Sequence, residues 1–431
     1  MWRARSVLIT VALLVGHGAA CTALPSGDDR APGTGASLPS LPSDPIGEDR
    51  DAAAVCVTDE CRPARPVCTK LRKQVAGDID GDGLGDIALT GGYIPGDNVP
   101  WRSIPVAFSK GNGMFVVTNY GAQDFPLFAT QAGAQPLGGD VDGDGKWDLL
   151  LTGGRTPAGD PWGSLPVAWS RGMGSFVATN NSLTEFASLA ARSGTVALSG
   201  DFDGDGRWDV ALLDARGRGA IALAGVGLGE FSSRAVEAGW STAPLGAGAR
   251  ALAGDFDGDG RHDIALVGAG TAGGMLVAFS KDGAFRTIEA RAPGLAARAS
   301  DPSALAVVGD FDADGRDDVA LVGGAGWTDI VLVYSRAEDV FEVVFAAAPE
   351  LAARAVGARF LVSTDVDGDG CSDLALLGRS ASLTGGAWDE ITVALSNAGG
   401  GFRVTRESVP EFAVYATQAG AKAVSGSAAR R

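Results

Sequence analysis

Histidine is almost missing from this chain of 431 residues: there are two, and because His17 lies in a leader-like segment, His262 stands alone in the remainder. A Ser-His-Asp or Cys-His catalytic site would have to be built on that residue, which sits inside one of the acidic loops described below. Cysteine is scarce too, at five residues, and no nucleophile-elbow or phosphate-binding P-loop pattern occurs. Glycoside hydrolysis needs only two carboxylates and stays open on composition, but no singular acidic pair stands outside the repeat pattern. The chain is therefore expected not to be an enzyme. Basic clusters are absent and the formal net charge is −17, which makes nucleic acid a poor partner. After residue 20 no segment reads as transmembrane.

What the chain has in quantity is aspartate, in one recurring form. The pattern D-x-D-x-D-G-x-x-D starts at Asp78, Asp140, Asp201, Asp255, Asp310 and Asp365, and successive starts are 62, 61, 54, 55 and 55 residues apart. A near-constant period in this range signals one supersecondary unit per copy. Carboxylates occupy positions one, three, five and nine. They are Asp78, Asp80, Asp82 and Asp86 in the first loop, Asp140, Asp142, Asp144 and Asp148 in the second, and Asp201, Asp203, Asp205 and Asp209 in the third. The fourth has Asp255, Asp257, Asp259 and Asp263, the fifth Asp310, Asp312, Asp314 and Asp318, and the sixth Asp365, Asp367, Asp369 and Asp373. Four crowded carboxylates call for a cation, and an all-oxygen shell completed by a carbonyl near position seven suits Ca²⁺, where zinc would want His or Cys. Up to six Ca²⁺ are expected, with solvated metal-free turns as the alternative. Position six is glycine in every copy (Gly83, Gly145, Gly206, Gly260, Gly315, Gly370), as a sharp turn of positive φ requires, and position four is glycine except for Ala313.

An EF-hand shares the opening of this pattern but needs Glu at position twelve and flanking helices. Here position twelve is Leu89, Leu151, Leu212, Leu266, Leu321 or Leu376, in runs such as Ile87-Ala88-Leu89 that read as strands, so Asp at position nine must close the site. Positions one, three, five and nine account for 24 of the 52 acidic residues. Loss of Arg3 and Arg5 with the leader takes the charge from −17 to −19, and six divalent ions would bring it to about −7.

Residues 1–20 read as an export signal: Arg3 and Arg5, an apolar run from Val7 to Val15, then small residues. Gly18-Ala19-Ala20-Cys21 resembles a bacterial lipobox, with Gly in place of the usual Leu. That resemblance implies lipidation at Cys21 and a membrane-anchored, extracytoplasmic lipoprotein; ordinary cleavage and secretion is the alternative. Residues 21–50 then form a lipidated N-terminus and a Pro/Ser/Gly tether. With Cys21 set aside, Cys56, Cys61, Cys68 and Cys371 could make two disulfides, in three possible pairings. Contact with a membrane is expected only through the lipid.

Within one unit the pattern reads as an apolar strand from Lys73 to Gly77, the loop, and a strand from Ile87 to Thr90. A third strand from Ile104 to Ser109, a Gly-rich turn and a fourth strand from Met114 to Thr118 follow. The second unit repeats this with Leu149 to Thr152, Leu165 to Ser170 and Ser175 to Thr179. Four antiparallel strands per unit make the blade of an all-β propeller. The units resemble the FG-GAP, or VCBS-type, repeats of integrin α-subunit propellers and secreted bacterial and fungal propellers, over residues 72–426. The resemblance implies fold and calcium, and leaves function open. Residues 101–109 (WRSIPVAFS) and 162–170 (WGSLPVAWS), each followed by a Gly-rich turn and V-x-T-N, are similar to repeats of the Psathyrella-type propeller lectins. That implies sugar binding.

Six loops suggest six blades, yet Ala421–Gly426 matches the strand entering the second loop, and residues 51–71 could complete another blade. Seven blades are favoured, with six as the alternative, and 427–431 read as a tail. Strand parity puts the acidic loops on one face and Trp101, Trp162, Trp327 and Trp388 on the other, where exposed aromatics stack on sugars or anchor proteins and buried ones pack against the next blade. The expectation is a monomer that binds a glycan on that second face, or a surface protein as an adhesion or scaffold propeller. Trp147 and Trp208, at position eight of their loops, receive no function.

Overall fold

The computed structural model describes residues 75–430 apart from 95–96, 215–217, 226–228, 238–248, 269–273, 282, 338–339, 380–387 and 398. The chain divides into Met1–Cys61 and Arg62–Arg431, and every described residue belongs to the second unit. The expected signal, tether and Cys-rich segment (1–20, 21–50 and 51–71) lie outside the described residues.

In chain order the first strands are β1 (Ile87–Thr90), β2 (Ser103–Ser109) and β3 (Phe115–Gly121). Helix α1 (Phe125–Ala129) leads into a complete meander of β4 (Gln135–Gly139), β5 (Asp148–Thr152), β6 (Ser164–Ser170) and β7 (Phe176–Ser182). After α2 (Thr184–Ala190) come β8 (Val196–Gly200), β9 (Asp209–Leu213), β10 (Arg218–Ala224) and β11 (Phe231–Glu237), and then β12 (Arg250–Gly254), β13 (Asp263–Val267), β14 (Met275–Lys281) and β15 (Ala284–Glu289). Helix α3 (Leu295–Ala299) precedes β16 (Leu305–Gly309), β17 (Asp318–Val322), β18 (Asp329–Ala337) and β19 (Val340–Ala347). Helix α4 (Pro349–Ala355) precedes β20 (Ala358–Thr364), β21 (Asp373–Arg379), β22 (Glu390–Asn397) and β23 (Gly401–Ser408). Helix α5 (Pro410–Ala416) and the short strands β24 (Lys422–Val424) and β25 (Ser427–Arg430) end the chain.

The sequence dictates this layering strand by strand. Second strands such as Asp148-Leu-Leu-Leu-Thr152 are buried along their whole length because both faces of the blade are covered by neighbours. Outer strands are covered less evenly, as in Phe115–Gly121, where Phe115 is buried and the far end meets solvent. Pro105 and Pro166 stand where the ladder to the second strand stops, at Ala88↔Val106 and Leu150↔Val167, so their missing N–H leaves no gap in it. The apolar core is a series of layers between blades: Leu150, Val167, Trp169 and Phe186 pack with Val210, Leu212 and Ala222 of the next unit.

Six sheets form among the described residues, where seven blades were favoured. Val75–Gly77 make a turn rather than the expected inner strand, which leaves β1 with an open inner edge. Strand β24 fills it, with Ala88↔Val424, Leu89↔Ala423 and Thr90↔Lys422 paired antiparallel. Ala421–Gly426 thus resembles an inner strand because it is one, the first of blade one, and an unpaired edge next to a matching apolar segment closes the ring. The segment read as a tail continues as β25, a fifth strand on β20, with Ser427 opposite Ser363 and Arg430 opposite Phe360. The five short helices went unread because five to seven residues carry too little period, although Pro349-Glu350 and Pro410-Glu411 are helix-start signals. No helix among the described residues is long and apolar enough to cross a membrane.

Candidate functional site

Each acidic loop is organised by its first and ninth carboxylates. Asp78 Oδ1 accepts the amides of Gly81 and Asp82 at 2.7 and 3.1 Å, and its Oδ2 accepts that of Gly83 at 2.8 Å. The position-six glycine donates to the position-one Oδ2 in every loop, over 2.8–3.0 Å, with φ between 85 and 97°. Asp86 reaches further. Its Oδ2 accepts from Ile79 and its Oδ1 from Ser109 of β2, both at 2.9 Å, so one buried carboxylate ties the loop to the third strand of its blade. Asp148, Asp209, Asp263, Asp318 and Asp373 repeat this with Ser170, Ala224, Ser280, Ser335 and Ser396.

Positions one, three and nine come together as expected. One oxygen from each lies within 4.8 Å of the others in Asp78/Asp80/Asp86, Asp140/Asp142/Asp148, Asp201/Asp203/Asp209 and Asp310/Asp312/Asp318; in the fourth loop the trio is Asp255/Asp257/Asp259. Position five also meets a cation: Asp144, Asp205, Asp259 and Asp314 pair with Lys146, Arg207, Arg261 and Arg316 two residues on, and Asp259 belongs to the fourth trio as well. Burial pushes the position-nine carboxyls up, to about 8 for Asp148 and Asp263 and about 7 for Asp209, and well above the usual range for Asp86, Asp318 and Asp373. Asp312 Oδ1 is buried without a hydrogen-bond partner. An orphaned carboxylate oxygen among hard oxygen donors fits a divalent cation.

The same loops join the blades. The amide at position eight donates to the position-one carbonyl of the preceding loop all round the ring: Trp147 to Asp78, Trp208 to Asp140, His262 to Asp201, Asp317 to Asp255, Ser372 to Asp310 and Gly85 to Asp365, over 2.6–2.9 Å. The side chain then lies over the glycine ending the previous inner strand, since a Cβ on Gly139, Gly200, Gly254 or Gly309 would fall within 2.7 Å of Trp208, His262, Val308 beside Asp317, or Ser372. Trp147 and Trp208, left without a function by the sequence, meet edge to face at 4.4 Å. Cys371, in the sixth loop, is disulfide-bonded, and the other cysteines lie outside the described residues.

At the opposite face each repeated Trp meets the helix that enters its blade. Trp101 is 2 % exposed, set between Gly92 and Tyr415 of α5 with ring centroids 5.0 Å apart. Trp162 is 4 % exposed, set between Gly154 and Phe128 of α1, and donates through Nε1 to Gln131 at 2.7 Å. Trp327 and Trp388 are half-buried under the guanidinium groups of Arg298 and Arg354, which also pair with Asp329 and Glu390. The expected stacking platform is thus corrected for Trp101 and Trp162: their rings are already used as braces, which explains why the residue recurs in step with an aromatic or Arg on the helix.

The open space on this face lies beside the braces. A groove of about 490 Å³ runs between α1 and blade two, over Phe125, Phe128 and Pro166, with Asp124, Thr179 and Asn180 along it. Asp124 and Asn180 are exposed, and neither side chain has a hydrogen bond within the described residues. In blade one the equivalent Asn119 donates to Tyr415 at 2.8 Å, so that position is already taken. Asn180 belongs to the V-x-T-N segment quoted above, which was the signal for it.

A family model described as the FG-GAP-like repeat matches residues 140–212, 201–266 and 255–321. The repeats are FG-GAP-like. They build a β-propeller, and a lectin is among its neighbours in solved structures. An Agrocybe aegerita lectin, studied for specific recognition of non-reducing terminal N-acetylglucosamine, aligns at a TM-score of 0.51 and 17% identity over 84% of this chain and 85% of that one. AofleA from Arthrobotrys oligospora gives a TM-score of 0.36 at 13% identity over 84% and 97% of the two chains. The first is a likeness of fold, and the second carries nothing further. No curated protein matches the chain.

Proposed function

We propose that this FG-GAP-like propeller binds glycans at the helical face, in the groove between α1 and blade two, while Ca²⁺ in the acidic loops holds the blades together. The observation that carries the reading is the groove itself. An exposed carboxylate and carboxamide, Asp124 and Asn180, stand uncommitted beside half-buried Phe128, which is the pairing of hydrogen-bonding edge and apolar floor that a pyranose presents in reverse. The fold shared with a lectin for terminal N-acetylglucosamine makes that sugar the first probe.

Calcium would be held by the loop carboxylates at positions one, three, five and nine and would supply charge compensation for side chains that burial otherwise keeps protonated. The protein acts as a binder, not a catalyst: the ring of His262 is packed against Trp208 and its Nδ1 accepts the Asp201 amide at 3.1 Å, which supports a structural role. Export and lipidation at Cys21 belong to the same reading and rest on the leader sequence. Saturation-transfer NMR with N-acetylglucosamine-terminated oligosaccharides in calcium buffer tests it. Transfer that disappears in Asn180→Ala is expected, and no transfer from any such sugar would count against glycan binding here.

A further inference from the structure

The six acidic loops are alike in sequence but not in the side chain that stands over them. One place past the residue whose amide meets the position-nine carboxylate come, in loop order, Lys110, Arg171, Gly225, Lys281, Arg336 and Asn397. Arg336 reaches into the fifth loop. Its Nη1 pairs with Asp312 Oδ2 at position three and lies 3.5 Å from Asp314 Oδ2 at position five. In the first loop Lys110 meets position five, with Nζ 3.4 Å from Asp82 Oδ2.

The Arg336 guanidinium is held on its other sides as well. Its Nε donates to Glu342 on β19 at 3.0 Å, and the group lies over the Tyr334 ring, 4.6 Å from the centroid. Beneath it Asp312 is 3 % exposed, whereas its counterparts Asp80, Asp142, Asp203, Asp257 and Asp367 are half-buried or exposed. Oδ2 of Asp312 is thus committed to Arg336, and Oδ1 is left without a partner. The carboxylate of Asp317 turns to the fourth loop, where its Oδ2 accepts the Asp255 amide at 2.8 Å.

Cation affinity at a carboxylate loop follows the charge its ligands present, and a partly buried pair is screened less than an exposed one. A fixed guanidinium offsets one of the fifth loop's four carboxylates and repels a second cation. The cation at position seven does not make this difference, since Lys146, Arg207 and Arg261 serve the second, third and fourth loops as Arg316 serves the fifth. We propose that Arg336 is a built-in counter-ion that makes the fifth loop the weakest calcium site of the six, filling at about tenfold higher calcium than the others. The proposal rests on the calcium reading above. The fifth loop is then the one whose occupancy changes with calcium while the rest of the ring stays loaded.

Titration of the chelator-treated full chain with calcium, followed by calorimetry and by metal analysis after dialysis, tests it. The parent should bind one ion per chain about tenfold more weakly than the rest. In Arg336→Gln that ion should join the tighter class, and in Arg336→Lys, which keeps the charge, it should stay weak. Equal sites in the parent, a last ion no tighter in Arg336→Gln, or one that tightens as much in Arg336→Lys would overturn the proposal and leave the calcium reading standing. A parent that binds no calcium at ~1 mM would overturn both.

Discussion

A serine at position 85 would bring its Cβ to 1.7 Å from Thr364 Oγ1 and 2.6 Å from Thr364 Cβ. At four other joints the residue ending the inner strand is glycine and the larger side chain comes from position eight of the next loop; Gly309 with Ser372 is one such pair. Between blades six and one the order is reversed, with Thr364 on the strand and Gly85 in the loop. Gly85→Ser therefore overpacks the joint, at a cost of about 1–3 kcal/mol. Thr364→Gly loses the hydroxyl's hydrogen bond to the Ala76 carbonyl and some strand preference, about 1–2 kcal/mol together. The double variant rebuilds the Gly309–Ser372 arrangement, so the overpacking cost should vanish and the two changes should couple favourably by about 1–2 kcal/mol. Urea denaturation of all four proteins in calcium buffer gives the cycle. If the double variant equals the sum of the singles to within about 0.5 kcal/mol, size matching at this joint is not what we describe.

Three further outcomes follow from the same contacts. Without metal, Asp140, Asp148, Asp209, Asp255 and Asp263 hold protons to about pH 6–8 in the folded chain but only to near 3.8 when unfolded, so their contribution is complete below the lower value and is lost as pH rises through the upper ones. In EDTA the Tm should be higher at pH 5 than at pH 8, and calcium should flatten or reverse that order; a Tm in EDTA that climbs to pH 8 would contradict it. Trp162→Ala should destabilise the fold by about 3–5 kcal/mol and Trp162→Phe by much less, since the ring is a brace against Phe128; a loss under about 1 kcal/mol in urea would refute the packing role. Deleting 421–431 should expose β1 to rapid amide exchange, whereas deleting 427–431 should leave β1 protected, because β24 alone completes blade one. Equal protection in the two truncations would show that the closure lies elsewhere.

The repeat was legible because its chemistry is local. Four carboxylates, a glycine of positive φ and a following apolar strand fall within a dozen residues, so loop, strand and face could be read from any one copy. Blade number was not local: whether Ala421–Gly426 begins a seventh blade or completes the first depends on whether residues before Asp78 form a strand, and Val75–Gly77 turn instead. The Trp position and its face were readable too, but not its partner, since Tyr415 and Trp101 meet across more than three hundred residues and the short helix that carries Tyr415 has no period to detect. Position eight looked random in sequence because its meaning is pairwise. Each residue there is matched to the end of the previous blade's inner strand, and the pairing appears only when the ring is closed.

The most direct test of glycan recognition in the α1 groove is a glycan array probed in calcium with the full chain, Asn180→Ala and Phe128→Ala side by side. The account expects saturable binding to a defined set of glycans, lost in both variants, with the Tm of Asn180→Ala within a few degrees of the parent and that of Phe128→Ala lowered by loss of the Trp162 contact. A blank array, or a glycan signal that both variants retain in full, would contradict it.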